Sequence, residues 1–112
     1  KVIKLNDKKD VYRGYMESNE LIKWLFKILV KSNKRFCIYN VGSDEAITIE
    51  NLAELIGKKF NKKIFKRKKK KNTRIDYYVP SILKAKKELN LKINSKIKSS
   101  LNNLLANGNK ES

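Results

Sequence analysis

Residues 36–56 read FCIYNVGSDEAITIENLAELI, and this stretch decides how the chain is organised. An apolar run from Phe36 to Val41 turns at Gly42 and Ser43 and passes into an amphipathic segment. Ile49, Leu52, Ala53, Ile56 and Phe60 recur at helical spacing and form one stripe. Thr48 stands at the N-cap position and Glu50 in the first turn, where the helix dipole favours an anion. The nearly continuous apolar character of FCIYNV predicts a strand buried on both faces, as in a parallel sheet. Strand, glycine turn and helix in that order can cradle phosphate. Gly42 stands alone, however, so neither a dinucleotide fingerprint nor a P-loop is present in these 112 residues. Gly42 is expected to serve the backbone geometry of the turn.

Working outward, the same alternation of types continues. KVIKL and VYRGYMES alternate as strands, with Val11, Arg13, Tyr15 and Glu17 on one face. Ser18 or Asn19 is positioned to cap a helix through Leu21, Ile22, Trp24, Leu25, Phe26, Ile28 and Leu29. So broad an apolar face predicts a helix sandwiched between other elements. KIF is a short strand, KRKKKKNT a solvated and mobile run, and IDYYVP an extended segment ended by Pro80. Ser81 would cap a short helix with Ile82, Ala85 and Leu89 inward, and Asn90 would end it in the left-handed conformation. Ile97, Leu101, Leu104 and Leu105 mark a last helix. The pattern is mixed α/β, expected as one lobe over residues 1–106 with a flexible tail at 107–112.

Composition removes several classes. The chain has no histidine and one cysteine, Cys37. That excludes a serine–histidine–acid triad, an internal disulfide and a cysteine zinc site within these residues. The lone thiol fits a reducing, cytoplasmic compartment and a small core hydrophobe. No apolar run approaches membrane-spanning length, and the expectation is no membrane partner. The formal net charge is +17, built from 24 Lys and only 4 Arg. Nucleic acid is the competing partner, with Lys66 to Lys71 supplying nonspecific phosphate contacts. Against it, the run lacks interleaved aromatics for stacking, and the cation used is not the bidentate one.

YRGYMESNELIKWL, then IYNVGSDEAITIENLAELIGK, then YYVPSILKAKKELNL, taken in that order, resemble the C-terminal part of the NAD-dependent sugar-nucleotide epimerase/dehydratase family. These are the extended short-chain dehydrogenases, and the likeness is greatest to dehydratase or epimerase members acting on dTDP-, CDP- or UDP-sugars, similar to dTDP-glucose 4,6-dehydratase-like enzymes. The resemblance runs from about Tyr12 to Leu91. It implies a small substrate-binding lobe of an extended Rossmann-type enzyme, lacking the N-terminal dinucleotide-binding domain. NAD would belong to the parent enzyme, with no cofactor in this fragment. The partners implied are a nucleotide-sugar substrate and the missing N-terminal Rossmann domain. Apolar surface left bare by that missing partner would drive self-association.

Three substrate-binding residues follow from the resemblance. Arg13 matches the arginine that contacts the substrate diphosphate. Asn40 matches the asparagine that lies near the nucleotide. Arg74 matches a basic residue that reaches the phosphates. Glu20 stands where the family places an acid at the strand–helix junction. The chain would carry no catalytic residue of its own. Tyr78 and Trp24 read as core aromatics.

Overall fold

In a computed structural model of the chain, residues 1–6, 9–32, 37–69, 71 and 73–108 are described. The chain forms two compact units, Lys1–Arg13 with Ala46–Val79, and Gly14–Glu45 with Pro80–Ser112. Both are assembled from segments distant in sequence.

The first unit is built on β2 (Val11–Arg13). It pairs antiparallel with β3 (Ile47–Thr48) and parallel with β5 (Asp76–Tyr78), in the order β3-β2-β5. The register sets Val11 opposite Asp76, Tyr12 opposite Tyr77 and Arg13 opposite Tyr78. Tyr12 and Tyr77 meet ring to ring at 5.5 Å, the cross-strand aromatic contact such a register favours. A second sheet pairs β1 (Val2–Leu5) in parallel with β4 (Lys63–Lys66). Between the sheets in sequence runs α2 (Ile49–Lys59). The Thr48 hydroxyl accepts from the Asn51 N–H at 3.0 Å, so the expected cap is made.

The end of α2 is a Schellman turn. Asn61 takes φ 51°, Lys62 N–H donates to the Gly57 carbonyl at 2.8 Å, and Asn61 N–H to that of Lys58 at 3.5 Å. Gly57 is needed for a second reason. A Cβ there would come within 2.9 Å of the Lys62 carbonyl and of the Ile64 side chain, so the helix could not lie this close to β4.

The second unit contains α1 (Ser18–Lys31), α3 (Leu83–Leu89), α4 (Ile97–Gly108) and an extended segment from Cys37. Its core joins Trp24, Ile82, Ala85, Leu89 and Leu91, with Met16, Ile28, Tyr39, Val41 and Ile93 against them. Trp24 is only 2% exposed, and its indole N–H donates to the Lys92 carbonyl at 3.2 Å. Burying such a ring contributes about 2–3 kcal/mol. The Glu20 carboxylate is buried at the start of α1 and accepts from the backbone N–H groups of Asn94 (2.6 Å) and Ser95 (3.1 Å). The Glu45 carboxylate does the same for the Ile97 N–H at the start of α4. Asn90 ends α3 in the left-handed region, φ 50° and ψ 40°, as expected of a residue in the glycine position.

Several expectations are corrected. No strand forms over the described part of FCIYNV, residues 37–41; Phe36 lies outside the described residues. Among the described residues it joins no ladder, and side-chain hydrogen bonds hold it. The Tyr39 hydroxyl donates to Glu88, Asn40 Nδ2 to the Ser81 carbonyl, and Lys84 Nζ to the Ile38 carbonyl. Strand β2 stops at Arg13 rather than running through the alternating residues that follow. The reason is Gly14, where a Cβ would stand 2.2 Å from the Ser43 carbonyl oxygen, so the backbones touch there. Gly42 is likewise not at positive φ; a side chain there would strike Pro80. Helix α1 is capped by Glu17 with no side-chain bond, and neither Ser18 nor Asn19 serves. Ile82, not Ser81, holds the N-cap of α3. Helix α1 is not sandwiched: Phe26, Leu29 and Val30 are 65%, 74% and 80% exposed. Cys37 is half-buried rather than core, and α4 continues to residue 108, the rest of the expected tail lying outside the described residues.

Replacing Glu20 by Ala should destabilise the protein by about 2–4 kcal/mol, since two N–H groups lose a charged acceptor. A urea-unfolding midpoint within error of the parent's would show that these bonds carry no net stability.

Candidate functional site

Arg13 ends β2, and its guanidinium lies on the face shared with β5. Nη1 donates to the Tyr12 carbonyl at 2.8 Å, and Nη2 to Asp76 Oδ2 at 3.1 Å. The guanidinium carbon sits 5.8 Å from the centre of the Tyr78 ring. Lys9 Nζ approaches the same Asp76 oxygen at 3.4 Å. The hydrogen bond from Arg13, aided by its charge and that of Lys9, holds the Asp76 carboxyl below its ordinary range. Two cations therefore converge on one carboxylate at the β2–β5 pair. Tyr78 is 75% exposed beneath Arg13, so it is a surface ring and not the core aromatic expected.

Arg74 lies two residues ahead of β5 and is exposed. Because Asp76 pairs with Val11, the backbones of Arg74 and Arg13 flank opposite ends of the β2–β5 pair. The structure does not bring them into contact. Arg74 makes no hydrogen bond or ion pair among the described residues. Asn40 belongs to the other unit, where its amide holds the Ser81 carbonyl at 3.0 Å. Beside it, Tyr39 donates to Glu88 at 2.8 Å, and that bond leads the causes that push its pKa up to about 12. Lys84 stands over the Tyr39 ring at 4.9 Å, and Lys86 pairs with Asp44 at 2.6 Å. In this unit Asn40 acts as one of several pins between the extended segment and α3.

The described residues of the lysine run are exposed, yet two of its lysines are held in ion pairs. Lys66 Nζ lies 2.5 Å from both Glu50 and Glu54, and Lys69 Nζ lies 2.7 Å from Glu50 and also pairs with Asp10. Hydrogen bonds from Lys66 and then Lys69 lower the Glu50 pKa, and those to Glu50 and Glu54 raise that of Lys66. Asp10, Glu50, Lys66 and Lys69 help line a crevice of about 20 Å³, room for roughly one water. Two lysines of the run are thus committed to carboxylates of α2 and the β2 approach, which reduces what the run can offer a nucleic acid. A wider open hollow of about 400 Å³, between Lys4, Leu5, Asn6, Phe65 and Arg67, holds none of the expected site residues.

Lys9 and Asp76 were not singled out from sequence. Asp76 is 63 positions from Arg13, and only the parallel β2–β5 register makes them neighbours. Its one visible signal was an acid at the head of an aromatic strand.

No protein-family model matches the chain, and no curated protein matches it in sequence. Among solved structures, it is similar to the UDP-glucuronic acid 4-epimerase from Bacillus cereus, solved in complex with NAD. The TM-score is 0.67 at 18% identity, over 89% of this chain and 30% of that one. The chain therefore has the mixed α/β fold of a segment of an NAD-dependent epimerase, and it spans 30% of that enzyme's length. Among the described residues no helix is long and apolar enough to cross a membrane, and no cluster of His, Cys, Asp and Glu could hold a metal.

The ion network sets a pH dependence. Glu50 has a folded pKa below its ordinary 4.5, so its contribution is full above that value and is lost as pH falls through the folded value. Lys66 has a folded pKa above 10.5, so its contribution is full below 10.5 and is lost as pH rises through the folded value. Thermal midpoints should be flat between these limits and fall below about pH 4.5, and Glu50→Gln should flatten part of the acid limb. An acid limb identical in the variant would show that Glu50 is not linked to folding.

Proposed function

We propose that the chain is the C-terminal substrate-binding part of an NAD-dependent nucleotide-sugar epimerase or dehydratase. It would bind the nucleotide diphosphate of its substrate. The observation that carries this reading is the fold match over 89% of the chain to part of an enzyme named for a UDP-sugar. Arg13 is the principal binding residue: a half-exposed guanidinium on a strand, with N–H groups left over for phosphate oxygens. Arg74, exposed and without a described partner, is a second cation for the substrate. Asn40 contributes at most an indirect role, holding the extended segment, since its amide already serves Ser81.

NAD would be held by the rest of the parent enzyme, and no redox step is routed through these residues. This chain would supply binding energy from the remote nucleotide, which orients the reacting sugar. The bare face of α1 and the strandless segment around Ile38, 77% exposed, support the same reading. An apolar helix face and an extended segment outside any strand ladder among the described residues both fit the flank of a larger sheet domain. Self-association is the fate proposed for that surface when uncovered.

In the full-length enzyme, Arg13→Ala should raise KM for the nucleotide-sugar about tenfold or more while changing kcat less. Arg13→Lys should recover only part of the loss, because an ammonium keeps the charge and not the bidentate fork. An unchanged KM in Arg13→Ala would refute the assignment.

A further inference from the structure

Lys9 and Arg13 reach the same carboxylate oxygen, at 3.4 and 3.1 Å. Neither cation is buried: their side chains are 48% and 33% exposed, and that of Asp76 36%. We propose that Lys9 is a second cation of the Arg13 anion site, and that Asp76 is an internal anion which an incoming diphosphate displaces. The inference rests on the reading of Arg13 as a diphosphate-binding residue.

The geometry supports both halves. Lys9 and Arg13 carry like charges and would splay apart without the shared carboxylate between them. Asp76 is delivered by β5, whose register places it opposite Val11, midway in the chain between Lys9, two residues ahead of β2, and Arg13 at its end. Arg13 is further restrained by the Tyr12 carbonyl and the Tyr78 ring, so the guanidinium stays aimed when the carboxylate leaves. Among the described residues its Nη groups make two hydrogen bonds, which leaves three of its five N–H donors for a ligand. The cluster carries two positive charges and one negative. A diphosphate brings more negative charge than one carboxylate and more oxygens to receive the donors. Ion pairs this exposed are individually weak, so exchanging a carboxylate for a phosphate opposes binding only slightly. Asp76 thus keeps the cations together in the free protein and sets how much anion the site demands.

The test uses the full-length protein and two probes, uridine diphosphate and inorganic pyrophosphate, titrated calorimetrically at fixed salt. Lys9→Gln should weaken both about threefold to tenfold, the range for losing one charged donor at an exposed site. Asp76→Asn keeps the size and one acceptor but removes the competing charge, and should tighten both about threefold. If Lys9→Gln binds as the parent does while Arg13→Ala is weakened, the inference fails and the reading of Arg13 stands. If Arg13→Ala also binds as the parent does, that reading itself fails. Weaker binding by Asp76→Asn, with an unchanged thermal midpoint, would show that the carboxylate builds the site rather than competing for it, and would overturn the exchange. Lys9→Gln alters an exposed side chain only, so its arm decides even if Asp76→Asn folds poorly.

Discussion

A buried carboxylate carries the second unit. Glu20 lies at the start of α1, where the dipole already favours its charge, and it receives two backbone N–H groups from Asn94 and Ser95. One turn further along the helix, Trp24 holds the Lys92 carbonyl. Together they fasten the connection between α3 and α4 to α1. The core of Trp24, Ile82, Ala85, Leu89 and Leu91 can close only with that connection in place. An anion so placed is tolerable because its bonds are charge-assisted; an unpaired one would cost several kcal/mol. The resemblance assigned an acid here to the strand–helix junction. Its partners are instead 74 and 75 residues away in sequence.

The first unit meets a different constraint, too much positive charge on a small surface. Its answer is to share single carboxylates between pairs of cations. Glu50 serves Lys66 and Lys69, and Asp76 serves Lys9 and Arg13. Each bridge is weak alone, but each shared acid keeps two cations from repelling. Those bridges order part of the lysine run, while the shared Asp76 gathers two of the cations available to an anionic ligand.

Both units have backbones in close approach, and glycine marks the places. Gly57 lets α2 lie on β4, and Gly14 lets the chain pass the Ser43 carbonyl. Neither has positive φ, so the demand is for the missing Cβ and not for unusual dihedrals. The left-handed positions fall instead to Asn61 and Asn90, which tolerate them. A glycine inside an alternating run, as at Gly14, is a legible sign of such contact, though not of the partner.

Sequence by itself determined helices α1 to α4 and strands β1, β2, β4 and β5 in their order, the helical stripes of α1, α2 and α3, the Thr48 cap and the turn at Asn90. Those features depend on neighbours within a few residues, where spacing and side-chain chemistry suffice. It also carried the family resemblance that the fold match supports in its coarser form. Tertiary structure decided the rest. The run FCIYNV has the composition of a buried strand, yet a strand exists only when another backbone pairs with it, and here side chains of α3 hold it instead. The apolar face of α1 is equally uninformative about its cover, since periodicity states how much surface is apolar and not what lies against it. The neighbours of Arg13 were hidden for the same reason. A parallel register joins β2 to a strand more than sixty residues away, and no local pattern encodes which distant carboxylate a strand will bring.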